Sequence, residues 1–185
     1  ELGVLAAGIY GIYAQSMIYR IKARPSWNKK ETTKIFFYVS YIGLLLITLI
    51  LVLQEEFTTA GVILPFALFL GYFQYVEFAK QKIFYKDLNE EKEENFYQLN
   101  KTKILYEENF SKHNDYRERS LSIGALALPL LAMLLLASGN YSSTILVLVL
   151  SIIVSFSSEI ISRLLFYKTA VALGLAGNFF AGNQR

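Results

Sequence analysis

The sequence predicts an all-α fold, a polytopic transmembrane helical bundle. Hydrophobic residues make up 54% of its 185 residues and charged residues only 18%, with a mean hydropathy of +0.37. The charges are also clustered, because only Arg163 among the 18 Lys and Arg residues lies inside a long apolar run. These observations exclude an ordinary soluble globule, a disordered chain and a nucleic-acid-binding module. The excess of basic over acidic residues, which gives a pI near 9.0, therefore belongs to the loops of a membrane protein.

Five apolar runs are candidates for membrane spans, since about 20 helical residues cross the hydrocarbon layer. The runs cover residues 2–19, 35–53, 59–79, 121–137 and 141–167. The first is slightly short. Pro65 and Gly71 lie in the third run and Pro129 lies in the fourth. Neighbouring helices can satisfy the backbone carbonyls that a proline frees in a bilayer, so we interpret both prolines as packing kinks.

The chain begins at Glu1, directly in an apolar stretch, with no charged leader and no cleavage site. We expect it to be the C-terminal part of a longer protein.

With five spans, the connections between them fall on two sides of the membrane. Segments 20–34, 80–119 and 168–185 fall on one side of the membrane and hold 17 of the 18 Lys and Arg residues. The other side receives only 54–58 and 138–140, which carry two glutamates and no basic residue. The positive-inside rule would place the basic side in the cytoplasm.

The segment 80–119 is the one sizeable extramembrane element that the sequence predicts. It has nine Lys and Arg against nine Asp and Glu, no proline and no glycine. Its apolar pairs, such as Phe84 with Leu88 and Phe96 with Leu99, have helical spacing. We expect one or two amphipathic helices that lie on the membrane surface or against a partner.

Glu159 and Arg163 form the sharpest candidate site, because their i, i+4 spacing puts both charges on one face of the last span. A charge in lipid costs about 3 kcal/mol on insertion scales, so such residues face the bundle interior and pair. The pair could accept protons or line a quinone or ion site, or it could simply pin helices together. Glu77, at the end of the third span, could pair with Arg163 or reach the lipid headgroups.

The chain offers few metal ligands. It has no cysteine, which excludes disulfides, thiolate zinc sites and iron–sulfur ligation. Its one histidine, His113, lies in the polar segment, whereas a haem b would need axial histidines inside the spans. We therefore expect neither haem nor metal in this chain.

Three stretches resemble the membrane anchor subunit of the dimethyl sulfoxide reductase family, the DmsC type. The first ends a span in Ile-Tyr-Arg at 18–20 and continues with Arg24, Pro25, Trp27 and Asn28. The second runs from Glu159 to Tyr167 and is similar to the family's Gly-Glu-x-x-Gly-Arg-x-x-Phe-Tyr, with serines at both glycine positions. The third and weakest spans 117–131.

The resemblance implies that the chain is the last five spans of an eight-span, non-catalytic anchor in the bacterial cytoplasmic membrane. Such an anchor binds menaquinol and passes its electrons to an iron–sulfur subunit, which serves a molybdopterin catalytic subunit in anaerobic respiration. The family's quinol-site carboxylate lies in an earlier span, so menaquinol would be bound mainly outside this chain. By match, Arg24, Pro25, Trp27 and Asn28, with Arg20 before them, belong to the face toward the iron–sulfur subunit. Glu159 and Arg163 are the polar pair.

Two alternatives stay open at this point. The chain could be a fragment of a transporter or channel, whose pathway Glu159, Arg163 and the kinked spans would line, or a purely structural scaffold. The sidedness is also open. Family members with an exported catalytic subunit would hold the 20–34 loop outside the cytoplasm, whereas its basic charge argues the opposite.

Overall fold

The computed structural model describes residues 2–20, 24–91 and 95–169, and every element in these ranges is helical. The helices are α1 (Leu2–Tyr19), α2 (Lys30–Tyr38), α3 (Tyr41–Leu53), α4 (Phe57–Lys86), α5 (Phe96–Ile104), α6 (Ser111–Ser122), α7 (Leu128–Ala137) and α8 (Tyr141–Thr169). Two π-helical segments, Leu105–Asn109 and Ile123–Ala127, lead into α6 and α7. The predicted all-α class is confirmed.

Four helical stretches of the described chain are long and apolar enough to cross a membrane, which indicates a multi-pass membrane protein. They are Lys30–Leu53, Phe57–Lys86, Ser111–Ala137 and Tyr141–Thr169. These stretches contain the second to fifth predicted spans. The first predicted span, 2–19, forms the 18-residue helix α1, and its place in a bilayer stays a prediction. The tail beyond Thr169 lies outside the described residues.

The polar segment 80–119 is less distinct from the spans than the sequence predicts, because the spanning helices extend into it from both sides. Helix α4 continues without a break to Lys86, and the helical stretch that contains the fourth span already begins at Ser111. The apolar runs mark where side chains suit lipid. The backbone hydrogen bonding continues beyond them because no proline or glycine lies at either junction. Among the described residues, α5 and the first π-helical segment are the helical elements that lie wholly between these two spanning stretches.

Both short connections are tight turns at one end of the bundle. Glu55 and Gly139 have positive φ values of 65° and 75°, which reverse the chain between α3 and α4 and between α7 and α8. The rings of Phe57 and Tyr141 stack across these two turns with centroids 3.6 Å apart. The longer basic connections, with described residues 24–29, 87–91 and 95–110, therefore lie at the opposite end. We call this the basic end.

Small residues let α4, the second π-helical segment and α8 approach closely. A Cβ atom on Gly71 would lie 2.6 Å from the Ala125 carbonyl oxygen, and one on Gly124 would lie 2.8 Å from the Ser155 backbone nitrogen. The Ser151 hydroxyl donates to the Gly124 carbonyl at 2.7 Å. Such contacts are typical of helices that associate in lipid, where small residues replace hydrophobic driving force.

The two prolines interrupt the bundle little. Pro65 lies inside the continuous helix α4, and Pro129 stands at the start of α7, directly after the π-helical segment. A π-helical turn shifts the hydrogen-bonding register, which removes the clash that a proline makes with the preceding turn.

Candidate functional site

An aromatic cluster at the basic end fixes the loop before α2 against the end of α8. The Trp27 ring stacks on Phe166 with centroids 4.5 Å apart, and its Nε1 donates to the Phe166 carbonyl at 3.0 Å. Tyr19 from α1 packs edge-on against both rings, and its hydroxyl lies 2.7 Å from that of Tyr167. Phe36 of α2 stacks on Tyr19. Four separate elements thus meet at Trp27, which is 5% exposed.

The loop itself is a compact turn. The backbone N–H groups of Trp27 and Asn28 both donate to the Arg24 carbonyl, and the Thr32 hydroxyl donates to the Trp27 carbonyl at 2.7 Å. The Arg24 guanidinium lies over the Trp27 ring, 4.2 Å from its centroid. These local bonds explain how a polar, proline-containing loop buries its tryptophan.

The structure divides the five predicted docking residues into two groups. Pro25 and Trp27 are buried within the chain, so their direct neighbours are its own side chains. Asn28 is exposed, and Arg20 and Arg24 keep part of their surface. Contact with a partner is therefore a prediction for Arg20, Arg24 and Asn28, while Pro25 and Trp27 shape the surface from beneath.

Glu159 and Arg163 do form the predicted pair. Arg163 Nε donates to Glu159 Oε1 at 2.5 Å, and the guanidinium lies over the Phe36 ring, 3.9 Å from its centroid. The two side chains are 17% and 31% exposed, respectively. The pair therefore joins α8 to α2 through the Phe36 ring and sits directly beside the aromatic cluster.

Glu77 adopts neither of the arrangements that the sequence analysis considered. It is 2% exposed, and its Oε1 lies 2.9 Å from Lys80 Nζ and 3.7 Å from Lys34 Nζ, so its partners are these lysines and not Arg163. Two lysine stems reach down from the surface to a buried carboxylate because their amines can stay half in solvent. Its second oxygen, and Oε1 of the neighbouring Gln74, have no hydrogen-bond partner among the described residues.

Arg117 is a site residue that the sequence analysis did not single out. It is 4% exposed, its Nη1 donates to the Tyr106 hydroxyl at 2.5 Å, and its guanidinium lies 4.7 Å from the Phe78 ring centroid. The Ser158 hydroxyl donates to its carbonyl, which ties α6 to α8. Its spacing to Leu121 and Gly124, four and seven residues on, is the signal that could have placed it on the buried face.

A cavity of about 400 Å³ opens at the basic end between these elements. Its exposed mouth carries Glu31, Lys29 and Lys80, and its deeper wall carries Arg117 and Arg163. The remaining lining is mostly aromatic or small: Ser26, Trp27, Thr32, Ile35, Phe36, Gln81, Phe84, Tyr85, Tyr106, Ser162, Phe166 and Thr169. Such a mixture of apolar wall and few polar groups is typical of ligand sites.

His113 lies on α6, outside the cavity lining, with its ring edge-on to Phe110 at 5.8 Å. Within residues 2–20, 24–91 and 95–169, no three His, Asp or Glu side chains are grouped so that they could hold a metal ion. The expected lack of haem stays a prediction.

Comparison of the chain with family models, with curated proteins and with solved structures gave no match.

Proposed function

We propose that this chain is part of the membrane anchor of a molybdopterin oxidoreductase similar to dimethyl sulfoxide reductase. The anchor binds menaquinol in the bacterial cytoplasmic membrane and delivers its electrons to an iron–sulfur subunit. One observation carries the proposal. The stretches that bear the resemblance, distant in sequence, meet at one end of the bundle, where Trp27 stacks on Phe166 and the Ser158 hydroxyl donates to the Arg117 backbone carbonyl.

The charge at this end supports a protein partner. Arg20, Arg24 and Asn28 keep exposed surface above the aromatic cluster, while the opposite end holds only two short inter-helix turns among the described residues. A partner subunit therefore finds its contact area at the basic end. Positively charged rims of this kind steer a complementary acidic surface into register.

The pair Glu159–Arg163 supports a part in handling quinol protons. Oxidation of a quinol releases two protons, and a carboxylate near the ring can accept one. Glu159 is mostly buried, yet its pair lies at the level of the cavity, where Arg163 is part of the wall. A proton accepted there has a short path to the basic end.

The docking part of the proposal is tested by site-specific photo-cross-linking in native membranes. A photoreactive amino acid at Asn28 or Arg24 of the full-length protein should give an adduct with a subunit that contains cysteine-rich ferredoxin motifs. The same group at Gln54, which is exposed at the opposite end, is the matched control and should give no such adduct. Adducts of equal yield at both positions, or adducts with lipid alone, would contradict the proposed face.

Substitutions in the Glu159–Arg163 pair should affect complex assembly and quinol turnover differently. Arg163→Ala leaves the Glu159 carboxylate without its partner in a poorly solvated place, so it should reduce the amount of assembled complex. Glu159→Gln keeps the shape and one hydrogen bond and should assemble normally, yet oxidise quinol several-fold more slowly. A double-mutant cycle on thermal stability should give a coupling of about 0.5–3 kcal/mol. Parental turnover in assembled Glu159→Gln complexes would remove the proton-transfer role and leave a structural ion pair.

A further inference from the structure

We propose that the cavity at the basic end binds a phosphate ester, with Arg117 as its main ligand. The chemistry is that of a phospholipid headgroup, and a soluble organic phosphate would offer the same anion. Binding at this site would require neither electron transfer nor a protein partner.

Arg117 is a buried cation with spare hydrogen-bond donors. Its guanidinium lines the cavity, and no carboxylate within the described part of the chain lies within 4 Å of it. The Glu159 carboxylate acts on it only from beyond that distance and is itself paired with Arg163. One nitrogen, Nη1, donates to the neutral Tyr106 hydroxyl, which leaves the other donors of the fork for another acceptor. A buried cation without a close anion costs free energy, and an anion in the cavity would offset that cost.

Arg117 is the cation of the lining that keeps spare hydrogen-bond donors. Lys80 and Arg163 are held by Glu77 and Glu159, which lie behind the wall, and Glu31 at the mouth is the one carboxylate among the described residues of the lining. The described wall is therefore most positive, and most enclosed, at Arg117. This arrangement attracts an anion and holds its charged group at the deep end.

The shape and position of the cavity also suit a phosphate ester. A volume of about 400 Å³ exceeds the needs of a bare ion, and its walls include the stacked rings of Trp27 and Phe166. These walls suit an apolar or glycerol-like group attached to the anion. The cavity also lies where the spanning helices α4 and α8 reach their basic ends, which is the level of lipid phosphates. Basic pockets between spanning helices are common headgroup sites.

Arginine is suited to this ligand because its planar fork can donate two parallel hydrogen bonds to phosphate oxygens. Lys80 and Lys29 at the mouth would contribute charge without fixing the geometry. The site would thus bind the phosphate through Arg117 and contact the attached group through the aromatic wall.

The test measures binding to the purified full-length protein in neutral detergent by the shift of its thermal transition. Three probes are titrated: a short-chain phosphatidylglycerol, a phosphatidylcholine of the same chain length, and glycerol phosphate. We expect phosphatidylglycerol to bind, and Arg117→Gln to weaken its apparent affinity at least about tenfold, as loss of a charge-assisted hydrogen bond predicts. Lys101→Gln, which removes an exposed cation on α5 outside the lining, is the matched control and should leave the affinity unchanged.

A second variant keeps the proposal falsifiable if Arg117→Gln does not fold. Glu31→Gln removes a carboxylate of the lining at an exposed position, so it should tighten binding of the anionic lipid by about two- to fivefold. Glu90→Gln, also exposed but outside the lining, is its control. A stronger response to glycerol phosphate than to the lipid, with the same dependence on Glu31, would assign the site to a soluble phosphate. Equal affinities in the parent, Arg117→Gln and Glu31→Gln proteins, or no binding of either phosphate probe, would overturn the proposal.

Discussion

Trp27→Ala should destabilise the bundle by about 3–5 kcal/mol, the largest effect that we expect from a single truncation in this chain. The change removes a buried ring that stacks on Phe166 and touches Tyr19, and it also removes the hydrogen bond to the Phe166 carbonyl. The loop at 24–29 would lose its anchor, so the basic end should open even where the helices persist. Thermal unfolding of the purified protein and protease sensitivity near residue 27 measure the two effects separately.

Trp27→Phe is the matched control, because it keeps an aromatic ring for stacking and removes the indole N–H. It should cost clearly less than Trp27→Ala, with the loss of the Phe166 carbonyl's partner contributing about 1–3 kcal/mol. A coupling of Trp27→Ala with Phe166→Leu close to zero in a double-mutant cycle would contradict the stacked arrangement.

Gly124→Ala should separate α8 from the helix that contains the fourth span. The new Cβ atom would lie 2.7 Å from the Ser155 hydroxyl and 2.8 Å from its backbone nitrogen. The backbone of α8 cannot move aside without breaking contacts along the helix, including the bond from Ser151 to the Gly124 carbonyl. Overpacking of this kind costs about 1–3 kcal/mol, so a lower transition temperature and a lower yield from membranes are expected.

Gly43→Ala provides the comparison for this substitution. Gly43 is also a glycine inside a spanning helix, but nothing lies within 4 Å of the place that its Cβ atom would occupy. Alanine there should be neutral or slightly stabilising, because it restricts the unfolded chain and favours a helix. Similar losses for Gly43→Ala and Gly124→Ala would show that helix packing at Gly124 is not the cause.

The helical class and the spanning stretches could be predicted because they depend on local properties. Apolar runs of about 20 residues fix where the chain suits lipid, and the short turns at Glu55 and Gly139 follow from what lies between the runs. The extent of the helices could not be read in the same way. Residues 80–86 include three lysines and a glutamine yet are helical, since no proline or glycine among them stops the backbone hydrogen bonding that α4 has begun.

The candidate site was predicted where sequence spacing alone brings residues together. Glu159 and Arg163 lie four residues apart on one helix, and their pairing follows directly. Glu77 was placed less well. Its nearer partner, Lys80, has helical i, i+3 spacing that the sequence already offered, whereas its second partner, Lys34 on α2, is 43 residues away, a distance that pattern reasoning cannot close. Trp27 was read as surface for the same reason. Its burial depends on Phe166, which lies 139 residues further along the chain.

Arg117 shows why the burial of a charged residue is hard to predict from sequence. In the sequence it is one of nine basic residues in a mixed-charge segment, which predicts a solvated position. Only the continuation of α6 into the spanning stretch turns this arginine inward, and only the fold brings Tyr106 and Phe78 around it. Sites of this kind depend on tertiary packing and leave a weak trace in sequence.

The central proposal, that this chain belongs to a quinol-oxidising anchor, is tested most directly by electron transfer. The full-length protein, isolated from its native membranes with its bound subunits, is mixed with a reduced naphthoquinol, and electron paramagnetic resonance follows the iron–sulfur signals. The proposal predicts that the clusters become reduced within the assembled complex. It also predicts that they stay oxidised when the iron–sulfur subunit is stripped from the anchor and given the same quinol. Isolation of the protein without iron, or cluster reduction that is equally fast without the anchor, would contradict it.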